Sequence, residues 1–274
     1  MRSHSDRATR KSTSKRKDDM PGRAISLHRK TRSFCYYGRS GTGKTTLFAT
    51  HPKDSLLLDI RDEGTDSISD VKGVEARELE EWDEFEEMYW WLRDHPKEFA
   101  TVGIDTVTQL QKLGMRHLIG DKGRGGKVAG DWGSMTKRDW GDLSALLNEW
   151  IINYRDLTQL GMEVVFLAQD RTSHTDEDEE IDQLTPEVGP ALSPAVAKNL
   201  CAAVSVLGQC FVDIVEKPKE GKGRTKYIKK TEYCLRLGPH PIYGAKIRKP
   251  KSSGVPDYIV DPSYDDIMAI IRGE

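Results

Sequence analysis

Residues 38 to 45 read Gly38-Arg39-Ser40-Gly41-Thr42-Gly43-Lys44-Thr45 and satisfy the pattern G-x-x-x-x-G-K-[ST] in full. Each element answers a need of phosphate chemistry. Glycines let the chain wrap so that successive backbone N–H groups point inward at anionic oxygens. Lys44 supplies a point charge to the β- and γ-phosphates, and the Thr45 hydroxyl ligates Mg²⁺. Thr46 is positioned to contact the α-phosphate, and Ser40 and Thr42 complete the loop. A helix starting near Lys44 presents its positive end to the same anion. The implied chemistry is the binding of ATP through its phosphates, with Mg²⁺.

Such a site needs a second acid for the metal, held at the end of a neighbouring strand. Asp105 closes the apolar run 101–104 about sixty residues on, and Asp59 is its rival in the run 56–60. Asp105 is preferred because Thr106 and Thr108 continue the pattern into a loop, and Asp59 is placed at the end of the second strand. Hydrolysis also needs a group to orient water against the γ-phosphate. The stretch 59–64 offers candidates, with Glu63 first and Asp62 next; a plain loop or helix-capping acid is the competing reading.

The elements that must position these groups are legible as runs and periods. Residues 33–37, 56–60, 101–105 and 164–168 are short, continuous and apolar, as buried parallel strands are. Between them lie helical segments. Trp82, Phe85, Tyr89 and Leu92 fall at +3, +4, +3 spacing, and Trp140, Leu143, Leu147, Trp150, Tyr154 and Leu157 repeat that pattern. Both tryptophan stripes read as core, and the acids between Glu75 and Glu87 as a solvated helix face. Further on, a helix is expected from Pro194 to about Val206, then strands at 210–216 and 226–237 around a turn-rich segment. The last helix spans about 264–271. The expected class is α/β, with a mostly parallel sheet, helices on both faces and an antiparallel edge hairpin.

The 274 residues allow one large domain or two small ones, and 36% hydrophobic content is enough for a sizeable core. No apolar run approaches the roughly 18 residues of a membrane span. Cys35, Cys201, Cys210 and Cys234 show no metal-ligand spacing and read as reduced thiols of a cytoplasmic protein. Residues 1–33 hold eleven Lys/Arg against three Asp. That basic tail, assigned to 1–32 and left unfolded, is either an arm that follows nucleic acid or a solvated extension.

With the phosphate loop, Asp105 and Gln169 in order, the chain resembles a RecA-type ATPase core. More narrowly, it is similar to RecA-like phage ATPases of single-strand annealing and recombination. The resemblance covers about 33–249, leaving 250–274 as an extension, and rests also on 101–108, 138–141, 164–169 and 246–248. It implies a RecA-like P-loop NTPase fold and an oligomer with ATP between subunits. It gives Gln169 the role of sensing the γ-phosphate. It makes Lys246 and Arg248 a finger pair reaching a neighbour's nucleotide, a basic surface turn being the alternative. DNA contact falls to a first loop at 120–133, with Lys122, Arg124 and Lys127 following single-stranded DNA and Trp132 nearby. The second loop, 171–190, is acidic, which fits a hairpin arm, a subunit contact or a cover over basic residues in the absence of DNA better than a phosphate track. An ATP-switched loader and a DnaB- or RadA-like helicase core remain as alternatives.

Overall fold

The computed structural model describes residues 31–60, 64–119, 135–173, 187–219 and 226–274. The basic tail, residues 61–63 and the segment 120–134 lie outside them. The chain runs β1 Ser33–Tyr37, α1 Lys44–Phe48, β2 Ser55–Asp59, a 3-10 turn at Gly64–Ile68, β3 Val74–Glu78, α2 Trp82–Asp94 and β4 Thr101–Asp105. It continues with α3 Val107–Ile119, α4 Lys137–Asp156, β5 Glu163–Ala168, β6 Asp170–Ser173, β7 Glu187–Pro190 and α5 Pro194–Ala203. Strands β8 Val206–Lys219 and β9 Lys226–Arg236, the short β10 Lys246–Ile247 and β11 Ile259–Val260, and α6 Tyr264–Arg272 complete it.

The main sheet is ordered β11-β9-β8-β1-β5-β4-β2-β3, with β10 also paired to β8. Strands β3, β2, β4, β5, β1 and β8 are mutually parallel, and β9, β10 and β11 add antiparallel pairs at one side. Alternate residues of the buried strands feed two cores. Cys35, Tyr37, Val164 and Phe166 join α2, α3, α4 and α5 on one face. Phe34, Tyr36, Val165 and Leu167 join α1 and α6 on the other. The expected α/β sheet with helices on both faces and an antiparallel edge hairpin is therefore what the chain forms.

The aromatic stripes are core, as their spacing requires: Trp82, Phe85 and Tyr154 are buried, and the Tyr154 hydroxyl donates to the Phe85 carbonyl at 2.8 Å. Three expectations are corrected. Glu75 and Glu78 lie on β3, not on a helix; β3 pairs its backbone with β2 at the open edge, where side chains stay solvated and no apolar pattern is required. Thr108 lies in α3, which starts two residues after Asp105, so no loop follows the acid. The fifth helix stops at Ala203, because its chain must turn to pair β8 with β1 from Val206.

One buried acid tunes stability. Glu163 opens β5 and accepts the Arg32 backbone N–H at 2.8 Å and the Tyr264 hydroxyl at 3.0 Å. Burial pushes its carboxyl up to about 7 from 4.5, these hydrogen bonds opposing the rise. A raised folded value means its contribution is complete below about 4.5 and is lost as pH rises through about 7. Denaturant titrations of wild type and Glu163→Gln from about pH 4 to pH 8 should diverge, wild type losing on the order of 3 kcal/mol relative to the variant. Parallel curves would show that Glu163 does not titrate in that window.

Candidate nucleotide-binding site

The loop between β1 and α1 sits at the carboxyl end of the parallel strands. Its entry is pinned where the Gly38 N–H donates to the Ala168 carbonyl of β5 at 3.2 Å. Gly41 and Gly43 take left-handed backbone, φ 78° and 81°, which side-chain-bearing residues rarely adopt. That turn sequence gives the loop the concave form in which N–H groups converge on an anion. The Thr42 hydroxyl donates to the Arg39 carbonyl at 2.8 Å and stiffens the turn. Lys44 folds back so that Nζ donates to the carbonyls of Gly38 and Arg39 at 2.9 and 2.8 Å. Its ammonium is thereby held at the floor of the loop.

Strand order brings the acid to the hydroxyl. Thr45 Oγ1 donates to Asp105 Oδ2 at 2.8 Å. Gly64 closes over this pair: a Cβ there would stand 3.4 Å from Asp105 Oδ2 and 3.6 Å from Thr45 Oγ1. Asp59 pairs in register with Asp105 on the adjacent strand, yet it is Asp105 that meets Thr45. The result is a cleft of about 630 Å³ lined by the loop from Ser40 to Thr46, by Asp105 and by Gly64, Asp66 and Ser67 of the 3-10 turn. Its far wall comes from β9 and the turn after β11, with Tyr233, Cys234, Asp261 and Pro262. Cys210 also lines it, but burial pushes that thiol up to about 12, so it stays protonated and unreactive.

A magnesium ion fits this donor set. Mg²⁺ prefers hard oxygens and is held by one or two protein groups plus substrate phosphates. Thr45 and Asp105 supply such oxygens side by side. Among the described residues no group of three or more His, Cys, Asp or Glu gathers as a metal cage, and a phosphate-borne ion needs none.

The remaining expected residues fall as follows. Gln169 directly follows β5, the strand lying between the loop strand β1 and the acid strand β4. Its N–H donates to Thr108 Oγ1 at 3.1 Å, and its carbonyl accepts the Ala191 N–H at 2.7 Å. It roots the antiparallel ribbon of β6 and β7, so the ends of the acidic segment 171–190 do form a hairpin stem. Lys246 and Arg248 cap α5 within the chain: both donate to the Ala202 carbonyl, at 3.2 and 2.8 Å, and Lys246 also to that of Cys201. Of the described residues lining the cleft, none is Gln169, Lys246 or Arg248. Glu63, Asp62, Lys122, Arg124, Lys127 and Trp132 lie outside the described residues. Sequence reading missed Asp66, Tyr233, Asp261 and Pro262. Only Asp66, a few residues past β2, carried a local signal; the others reach the loop through long-range pairing.

Fold and site together define an α/β P-loop NTPase, with a cleft built for a nucleotide and its metal. A family model described as an AAA domain matches residues 30–249, and the chain belongs to that family. Among solved structures, the KaiC-like protein PH0186 from the hyperthermophilic archaeon Pyrococcus horikoshii OT3 is similar at 10% identity and a TM-score of 0.37, covering 84% of this chain and 89% of that one. A search of curated proteins finds no match. Among the described residues no helix is long and apolar enough to cross a membrane.

Proposed function

We propose that the chain is an ATPase of RecA type that binds Mg-ATP in this cleft and couples its hydrolysis to work on single-stranded DNA, as in recombination or annealing. The observation that carries the catalytic part is the 2.8 Å bond between Thr45 and Asp105 beside the loop that holds Lys44. When bound there, magnesium supplies charge to neutralise the developing negative charge on the phosphates. Lys44 adds a point charge at the β- and γ-phosphates, and the N–H groups from Gly41 to Thr46 orient the chain of phosphates. Asp105 accepts from Thr45 and fixes that hydroxyl toward the metal position. Orientation of water falls to Glu63.

Coupling to DNA is assigned to Gln169. Its position after β5, with its backbone bonded to α3 and to the end of β7, lets a change at the phosphates reach the ribbon of β6 and β7. Lys122, Arg124 and Lys127 are the proposed contacts to the DNA backbone. The proposed working form is an oligomer in which Lys246 and Arg248 leave the α5 carbonyls and reach a neighbour's nucleotide. Their engagement with α5 favours a second reading, in which the nucleotide is an assembly switch with little turnover.

Hydrolysis by the purified chain, measured with and without single-stranded DNA against Lys44→Ala as the blank, separates the two. Turnover that rises several-fold with DNA and vanishes in the variant is expected. ATP binding with turnover at the blank level in both conditions would end the recombination reading and leave the switch.

A further inference from the structure

The cleft continues well past the phosphate loop, and its continuation has the build of a second subsite. On the β4 side, Gly64 stands by the Thr45–Asp105 pair, and Asp66 of the same turn lines the cleft. On the opposite side, the β8–β9 hairpin runs beyond the carboxyl end of β1: Tyr37 pairs with Gln209, and ten further residues of β8 extend past it. Tyr233 of β9 pairs with Val212 in this overhang, so its ring is carried up to the loop. A Cβ on Gly43 would lie 3.4 Å from Cδ1 of that ring, so the ring packs on the last glycine before Lys44. Despite this contact, Tyr233 remains 45% exposed, a large aromatic surface open to the cleft.

Facing it is a turn held in an unusual conformation. Asp261 has φ 48°, the one described residue other than glycine with positive φ. Its N–H donates to the Tyr233 carbonyl at 2.7 Å, which locks it beside the ring. The next residues are fastened to the turn that follows α1, where the Tyr264 N–H donates to Thr50 Oγ1 at 2.8 Å. Pro262 and Asp261 therefore form a rigid wall, and Thr46 and Thr50 of the α1 segment line the space beside them. Backbone held in a sparsely populated region is common at ligand clamps.

Resting on the reading of the loop as a nucleotide site, we propose that the slot between Tyr233 and the Asp261–Pro262 turn receives the nucleoside half of the triphosphate, the base stacking on the Tyr233 ring. Direction supports this. The metal pair fixes the γ-phosphate end at the β4 side, and Thr46 takes the α-phosphate, so the ribose and base leave the loop toward β9. An aromatic ring open on one face is the surface on which bases of any sequence stack. The Asp261 carboxylate, an acceptor without donors, suits the hydroxyl and amino donors of a nucleoside.

The test compares ligands with and without a base. Wild type, Tyr233→Ala, Tyr233→Phe and Lys44→Ala are titrated with Mg-ATP, magnesium tripolyphosphate and ribose 5′-triphosphate, with circular dichroism to confirm folding. Wild type should bind ATP about tenfold more tightly than ribose triphosphate, the worth of one base stacked on an aromatic ring. Tyr233→Ala should lose that advantage while binding tripolyphosphate as wild type does, and Tyr233→Phe should keep it. If wild type binds ATP no better than ribose triphosphate, or Tyr233→Ala retains full ATP affinity while Lys44→Ala loses it, the base does not lie here and the phosphate site stands. If wild type binds none of the three, the nucleotide reading fails, and this subsite with it. Tyr233→Leu, which keeps apolar bulk without the ring, should lose the advantage as alanine does, so the stacking is decided even if Tyr233→Ala does not fold.

Discussion

Lys44→Ala should cut Mg-ATP affinity by about a hundredfold and bring turnover to background, the largest functional effect expected of any single substitution in this chain. The ammonium lies at the floor of the loop, only 8% exposed, with Nζ on the carbonyls of Gly38 and Arg39. From there it can swing from two neutral carbonyls to phosphate oxygens carrying full charge, so the exchange favours the ligand. Alanine removes that charge where solvent screening is weak. Lys44→Arg should recover little, because a planar fork on a longer stem does not fit a loop that already closes around an ammonium. Calorimetric titration with Mg-ATP checks this, alongside melting curves. Stability should fall by about 1 to 2 kcal/mol, since the Gly38 carbonyl loses a buried donor. Unchanged ATP affinity in a folded Lys44→Ala protein would rule the loop out as the nucleotide site.

Gly38→Ala is expected to have the largest effect on folding. A Cβ at this position would stand 2.1 Å from the backbone oxygen of Cys210, 3.1 Å from its carbonyl carbon and 3.0 Å from Thr42 Oγ1. The obstacle is main chain. Cys210 belongs to β8, which pairs along Val206–Gln209 with β1 and from Gln209 onward with β9, so it cannot retreat without opening the centre of the sheet. The Gly38 N–H is committed too, to the Ala168 carbonyl of β5. A clash with fixed backbone costs about 3 kcal/mol or more, or about 10 °C in Tm for a domain of this size. Gly141→Ala is the control: it lies in α4, a Cβ there meets nothing within 4 Å, and alanine is the better helix former. Its Tm should hold or rise slightly. Equal melting of the two variants would mean that the contact with Cys210 does not constrain the loop.

Much of the scaffold could be read from local pattern, for a physical reason. Strands β1 and β4 begin and end where the apolar runs 33–37 and 101–105 do, because a parallel strand covered on both faces must be apolar throughout. Helices α2 and α4 follow their aromatic spacing, because one stripe must reach the core. The phosphate loop is legible because its chemistry is local: the glycines, the lysine and the threonine are consecutive, and the backbone between them makes the site. β3 was not legible, since an open edge stabilises a strand through backbone pairing and leaves its side chains free to be acidic. The period of α3, with Val107, Leu110 and Leu113 three apart, was present in the sequence and passed over because Asp105 was expected to open a loop.

What only the tertiary structure decided is which distant residues meet. Nothing local to Asp105 or Asp59 says which of two acids ending neighbouring strands will face Thr45; that follows from β4 lying between β2 and β5. The same order sets Gln169 beside the loop strand. It also gives Lys246 and Arg248 a partner in the last turn of α5, which no spacing in the sequence announces. Tyr233 and Asp261 come to the cleft from the far end of the chain, one on a hairpin overhang and one in the turn that leaves β11, the strand paired with β9. Hydrophobic period fixes which face of an element is buried, but not which element it is buried against. The phosphate grip was therefore written in eight consecutive residues, whereas the rest of the cleft exists only once the strands have been put in order.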